Sequence, residues 1–220
     1  MKSVNRQLWQ RFLDIAAPYW RSEERWSALG RLALLLLLLL GQTAFAVLLN
    51  EQTGEFTSAL AARDEHRFWQ AILLCLGLLV GAVPTYACYY WVRDTLGNHW
   101  RRWLTQRFLL RYFGDRHYYS LNGLAALDNP DQRIAEDMNL FTSSTLGLSM
   151  GLLSSVITLV SFVGILWTLS GSFSFDFNGG SYTIPGFMVW MAVLYCVVGS
   201  VLAHYIGRPQ IALNFKQQRF

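Results

Sequence analysis

Four apolar runs interrupt the sequence, from about Leu32 to Leu49, Phe68 to Val92, Leu146 to Leu169 and Ile184 to Ile206. Each approaches the ~20 helical residues that cross a hydrocarbon core of about 30 Å. The first contains seven consecutive leucines, Leu34 to Leu40. At ~0.3 to 0.6 kcal/mol each on an insertion scale, they favour the membrane by about 2 to 4 kcal/mol. The pattern predicts four transmembrane helices.

The second run does not stop at the membrane. From Asp94 the chain continues as DTLGNHWRRWLTQRFLLRYFGDRHYY, with Trp100, Trp103, Leu104, Phe108, Leu110 and Tyr112 at helical spacing among arginines and no proline before Gly114. The spacing predicts one helix from Phe68 to about Phe113, where Gly114 ends it. Those 46 residues extend roughly 70 Å at ~1.5 Å each, about twice a bilayer, so a long stalk projects from the membrane. Ahead of the first run, Leu8, Trp9, Phe12, Ile15 and Ala16 share one helical face, with Arg6, Gln7, Gln10, Arg11 and Asp14 on the rest. That pattern predicts an amphipathic helix along the membrane surface that breaks near Pro18. A helix packed on a soluble partner is the alternative.

Composition agrees with the pattern. Over half the residues are hydrophobic (53%) and only 15% are charged, and mean hydropathy is positive, which is unusual for a water-soluble fold. Charge placement sets orientation, because Lys and Arg of short loops stay on the cytoplasmic side. Lys2, Arg6, Arg11, Arg21, Arg25 and Arg31 precede the first run, whereas Arg63 and Arg67 alone lie between the first and second, against Glu51, Glu55, Asp64 and Glu65. Arg93, Arg101, Arg102, Arg107, Arg111, Arg116 and Arg133 lie between the second and third. The loop from Ser170 to Thr183 has no basic residue, and the tail adds Arg208, Lys216 and Arg219. Sixteen of the eighteen basic residues thus share one side, which places both ends in the cytoplasm. They flank spans and form no separate basic domain, which disfavours a nucleic-acid partner. Ala44-Phe45-Ala46 resembles a signal-peptidase site, but some thirty residues precede the leucine run, too many for an ordinary signal peptide, and the run reads as an uncleaved span.

Candidate chemistry is sparse. Cys75, Cys88 and Cys196 lie inside predicted spans without metal-ligand spacing and read as small buried apolar residues. No Ser/His/Asp, Cys/His or metal cluster has usable spacing, so the chain reads as no enzyme, with no metal and no cofactor of its own. Trp69, Trp91, Trp167 and Trp190 fall near span ends, where indole prefers the interface. Tyr86, Tyr89 and Tyr90 cluster in the second span and are a candidate solute path, although packing explains them too.

One polar stretch stands out, LDNPDQRIAEDM at residues 127 to 138. Asn129 suits an N-cap, Pro130 the first helical turn and Gln132 a capping box. Asp131, Glu136 and Asp137 bring negative charge towards the positive end of the helix dipole. A charge-dense turn some 25 to 30 Å below the membrane is also a natural docking surface for a soluble partner.

These residues carry a resemblance. WRRWLT, RYF with HYY, DNPDQRIAEDM, ILWTLSG and NFKQQRF resemble the membrane domain of bacterial ATP-binding cassette (ABC) transporters of the SbmA/BacA-like class, related to peroxisomal fatty-acyl ABC transporters. The similarity covers nearly the whole chain. It implies an all-α polytopic fold, part of a six-helix exporter-type membrane domain with long cytoplasmic extensions, swapped between two protomers in the bilayer. Residues 1–28 then form an N-terminal cytoplasmic segment and 29–220 the partial membrane domain. By the resemblance Asp128, Asn129, Pro130, Asp131, Gln132, Arg133, Glu136 and Asp137 belong to the first coupling helix, which docks on a nucleotide-binding domain fused downstream or separate.

The sequence departs from that pattern in having four runs and no P-loop. Its only lysines, Lys2 and Lys216, follow no glycine, whereas a P-loop needs Gly-Lys to hold phosphates. The chain therefore reads as a fragment, and ATP and Mg²⁺ are expected on the absent domain. The resemblance implies cargo such as peptides, peptide-like antibiotics or a corrinoid, moved across a bacterial inner membrane. Two other readings stay open. One is proton-driven uptake of the SbmA type, although no Asp or Glu lies within the four runs. The other is a membrane scaffold using Gly147-x-x-x-Gly151.

Overall fold

A computed structural model describes residues 2–114, 130–177 and 180–217. Among them the order is α1 (Lys2–Trp20), α2 (Arg25–Ala62), α3 (Glu65–Phe113), α4 (Pro130–Leu169), β1 (Ser172–Phe177), β2 (Gly180–Pro185) and α5 (Phe187–Gln217). The helices α2, α3, α4 and α5 are each long and apolar enough to cross a membrane, so the chain is an all-α multi-pass membrane protein. It divides into two compact units, Met1–Ile157 and Thr158–Phe220.

In the first unit α2 and α3 form an antiparallel hairpin. A Cβ added at Gly41 would lie 3.5 Å from Thr85 Cγ2, and one at Gly81 would lie 2.9 Å from Phe45 Cζ. Glycine at position 81 thus lets the Phe45 ring sit directly on the α3 backbone. Further along, Arg31 Nη2 lies 3.3 Å from His99 Nε2, and at the opposite end Arg67 Nη2 donates to Glu55 Oε2 at 2.6 Å. That exposed ion pair contributes at most about 1 kcal/mol.

The connection expected between the first two runs shrinks to Arg63 and Asp64. Arg63 takes the left-handed conformation (φ 56°) that closes α2, and the Asp64 carboxylate accepts from Arg67 N at 3.2 Å to cap α3. Because nothing from Asn50 to Ala62 breaks a helix, α2 continues about 20 Å beyond Leu49 at ~1.5 Å per residue.

The core of this unit follows a four-residue stripe along α3. Val92, Leu96, Trp100 and Leu104 are buried, one turn apart on the face towards α1 and α2. The expected long α3 is therefore present, and its stalk is held from the side. Against the stripe pack Leu35 and Leu39 of α2, Ala16 and Tyr19 of α1, and Leu146 of α4. Tyr19 stacks on Trp100 with centroids 5.9 Å apart and planes at 17°, while Trp20 and Phe141 meet the same indole edge-on. Each such pair adds about 0.5 to 1.5 kcal/mol beyond its buried area.

This aromatic knot corrects the reading of the N-terminus. α1 ends at Trp20, two residues past Pro18, so the helix stops near the proline as expected, but its last turn is held against the indole that Tyr19 and Trp20 pack on. The C-terminal half of α1 is docked protein, while Leu8 and Trp9 stay exposed.

Three polar atoms around the knot, Tyr19 Oη, Arg31 Nη1 and Trp100 Nε1, are buried without a well-formed hydrogen bond. Burial raises the Tyr19 phenol above its ordinary pKa, the Glu24 carboxylate adds to the rise, and the Arg31 guanidinium partly offsets both.

In the second unit, residues read as a loop form an antiparallel β-hairpin in which Phe173 pairs with Ile184 and Phe177 with Gly180. Ile184 therefore belongs to β2, and the last apolar helix starts at Phe187. Gly171 and Gly186 close the hairpin with φ +57° and +66°, and Gly186 N donates to Gly171 O at 3.3 Å. A Cβ on Gly186 would lie 2.6 Å from Trp167 Cε3, so the indole seals the hairpin base. Cys88 and Cys196 are exposed and Cys75 is partly so. Their expected burial is not seen, because these helix faces are left largely uncovered by the described residues.

Candidate functional site

Just past the end of the second apolar run at Val92 and just before the start of the third at Leu146, α3 and α4 enclose a cleft of about 430 Å³. It forms because Gly97 lets them approach, since a Cβ there would lie 3.4 Å from Leu146 Cδ1. Arg93, Asp94 and Asn98 of α3 face Asn139, Thr142 and Ser143 of α4 across it.

The hydroxyls are anchored on their own helix. Thr142 Oγ1 donates to Met138 O at 2.9 Å, and Ser143 Oγ to Asn139 O at 2.8 Å, so their oxygens remain as acceptors. Arg93 Nε and Nη2 donate to Asp94 Oδ1 at 3.0 and 2.9 Å. The guanidinium also lies 4.8 Å from the Tyr90 ring centroid, a cation–π contact. The cleft thus offers one cation, one carboxylate, two amides and two hydroxyl acceptors at the boundary of the apolar layer. Such a set can hold a polar or zwitterionic group by hydrogen bonds in both directions. Among the described residues no group of three or more His, Cys, Asp or Glu could hold a metal ion.

The tyrosines expected along a solute path differ in exposure, although the Tyr89 and Tyr90 rings meet edge-on at 5.5 Å. Tyr86 and Tyr90, one turn apart, are exposed, while Tyr89 is buried against α2. With Arg93 and Gly97, Tyr86 and Tyr90 make a stripe that leads from membrane depth to the cleft.

Of the candidate docking residues, Asp128 and Asn129 lie outside the described residues. Pro130, Asp131, Gln132 and Arg133 form the first turn of α4, and Glu136 and Asp137 are exposed on the second. Pro130 starts the helix as its fixed φ predicts. The stretch continues without a break into α4, about 24 Å before Leu146 at ~1.5 Å per residue. Gly147 and Gly151 have nothing within 4 Å of an added Cβ, so this small-residue notch is unfilled among the described residues.

The sequence reading missed the cleft itself. A signal was present in Asn98, Asn139, Thr142 and Ser143, polar residues adjoining apolar runs, but their approach depends on Gly97 and on which α3 face meets α4.

Residues 13–220 match the family described as ABC transporter transmembrane region 2. The chain is 34% identical over 217 residues to the inner membrane ABC transporter ATP-binding protein YddA of Escherichia coli (strain K12), covering 97% of this chain and 39% of that protein. It is 32% identical over 212 residues to ABC transporter D family member 2, chloroplastic, of Arabidopsis thaliana, covering 96% and 28%. With the lysosomal cobalamin transporter ABCD4 of Homo sapiens it shares 33% over 162 residues, covering 70% and 25%. The chain spans about two fifths or less of the length of these relatives.

Proposed function

Since the chain belongs to the ABC transporter transmembrane region 2 family, we propose that it supplies membrane helices to an ATP-driven transporter of the bacterial inner membrane. On this reading both ends face the cytoplasm, a second copy completes the solute path, and a nucleotide-binding domain, fused downstream or separate, docks below. ATP and Mg²⁺ belong to that domain, because no lysine of this chain follows a glycine as a P-loop requires. The observation that carries the proposal is the pairing of α3 with α4. Both line the polar cleft, and α4 runs unbroken from the charged residues at 130–137 into an apolar span. A push at that stretch is therefore delivered through rigid helix to the α4 wall of the cleft. That is the geometry a coupling segment needs if Asp128, Asn129, Pro130, Asp131, Gln132, Arg133, Glu136 and Asp137 transmit ATP-driven movement.

The solute class follows from the lining. Tyr86 and Tyr90 offer aromatic surface next to the mixed charges and amides of the cleft, which suits a peptide-like or otherwise amphipathic solute, as for SbmA/BacA-like proteins. The name of the ABCD4 relative supports a corrinoid as the alternative cargo. The exposed apolar surface of α5, including Leu194, Val198 and Leu202, is available to lipid or to the second copy.

The test uses the complete transporter in proteoliposomes. Asp131→Ala, Arg133→Ala and Asp137→Ala should each lower transport at least tenfold while ATP hydrolysis and folding persist. Unchanged transport in all three would remove the coupling role. Asn98→Leu with Asn139→Leu should raise the KM for solute and leave basal ATP hydrolysis intact.

A further inference from the structure

We infer that the groove between α1 and α4 seats one acyl chain of an anionic phospholipid from the leaflet on the basic side of the membrane. The groove encloses about 410 Å³, within the ~300 to 1,000 Å³ of small-molecule sites. Leu8, Trp9 and Phe12 form its α1 wall, and Leu148 and Leu152 its α4 wall. Of these, Leu8, Trp9, Leu148 and Leu152 are more than half exposed, so none of the described residues of the first unit covers the groove.

Depth points to lipid. Thr145 lies at the edge of the third apolar run and also lines the groove. Leu152, seven residues on, is about 10 Å deeper at ~1.5 Å per residue. This matches the ~5 to 10 Å to which an interfacial amphipathic helix sinks. A slot that begins at the boundary and runs into the hydrocarbon has the orientation of an acyl chain hanging from its headgroup.

Charge specifies which lipid. Arg6 and Arg11 are exposed and, by the 3.6-residue winding of α1, flank the Leu8–Trp9–Phe12 face on its two sides. No acidic residue occurs between them, and the nearest on α1 is Asp14. Two arginines beside a lipid seat, at about 1 kcal/mol each, favour an anionic headgroup over a zwitterionic one by roughly thirtyfold.

The complete transporter in nanodiscs is compared with its Trp9→Phe variant, so that the difference in fluorescence isolates Trp9. Brominated phosphatidylglycerol should quench that difference signal at roughly one thirtieth of the mole fraction needed with brominated phosphatidylcholine. Arg6→Gln with Arg11→Gln, both on exposed positions, should bring the two mole fractions together. Equal quenching by both lipids in the unaltered protein would overturn the inference in favour of bulk annular lipid. Absence of quenching by either would overturn it in favour of a protein occupant such as a second copy.

Discussion

Replacing Trp100 by alanine tests whether the aromatic knot is what holds α1 to the α3 stalk. The indole is 2% exposed and meets Tyr19, Trp20 and Phe141 at 5.9, 5.9 and 6.0 Å. Truncating a buried tryptophan to alanine costs about 3 to 5 kcal/mol. Because α1 joins the rest of the chain through residues 21–24 and docks through Ala16 and Tyr19, most of that loss falls on docking. At 1.4 kcal/mol per tenfold, the docking constant drops by roughly 100-fold to 4,000-fold. Hydrogen exchange by mass spectrometry on the purified protein reads this as local opening. Exchange should accelerate in α1 and in the first turns of α4 around Phe141, while Leu35 to Phe45 of α2 stays protected. Trp26→Ala, at a position 74% exposed, serves as the control and should leave α1 protected. Unchanged α1 exchange in a folded Trp100→Ala protein would refute the knot as the anchor.

Gly81→Ala should lower thermal stability in detergent by about 1 to 3 kcal/mol through overpacking against Phe45. Combining it with Phe45→Ala should recover part of the loss, and strictly additive effects would show that the two do not touch. The Tyr19 phenol holds its proton above the ordinary value near 10. Its contribution to α1 docking is therefore complete below that pH and fades as pH rises through the elevated value. Tyr19→Phe should abolish that component of alkaline undocking above the ordinary phenol value near 10, and an identical decline in both proteins would refute it. Gly171→Ala and Gly186→Ala each place a side chain at positive φ, a cost of about 1 to 2 kcal/mol, and only the second also strikes Trp167. Protease cleavage between residues 170 and 186 should thus increase more for Gly186→Ala than for Gly171→Ala, and equal rates would remove the indole from the hairpin base.

How much of this was legible in advance varies by element. The polarity of the apolar runs sufficed for the four spans, because the bilayer demands length and apolarity whatever the neighbours are. The long α3 and the start of α4 at Pro130 followed from uninterrupted periodicity and from the backbone preference of proline. The hairpin was readable and missed. Ser-Phe-Ser-Phe-Asp-Phe alternates with period two and leads into Asn178-Gly179, a strong hairpin turn signal, but it was read through its lack of basic residues.

Helical periodicity places apolar residues on a face without saying what that face meets. It made α1 an interfacial helix, whereas the stacking of Tyr19 on Trp100 docks half of it on α3. It grouped Tyr86, Tyr89 and Tyr90, whereas the approach of α2 buries the middle one. The polar cleft required Gly97 to bring α3 and α4 together. Local sequence settled which segments cross the membrane and where their helices begin, since those are properties of a segment in a solvent. The pairing of faces, and with it the cleft and the lipid groove, was decided by side-chain packing between residues tens of positions apart.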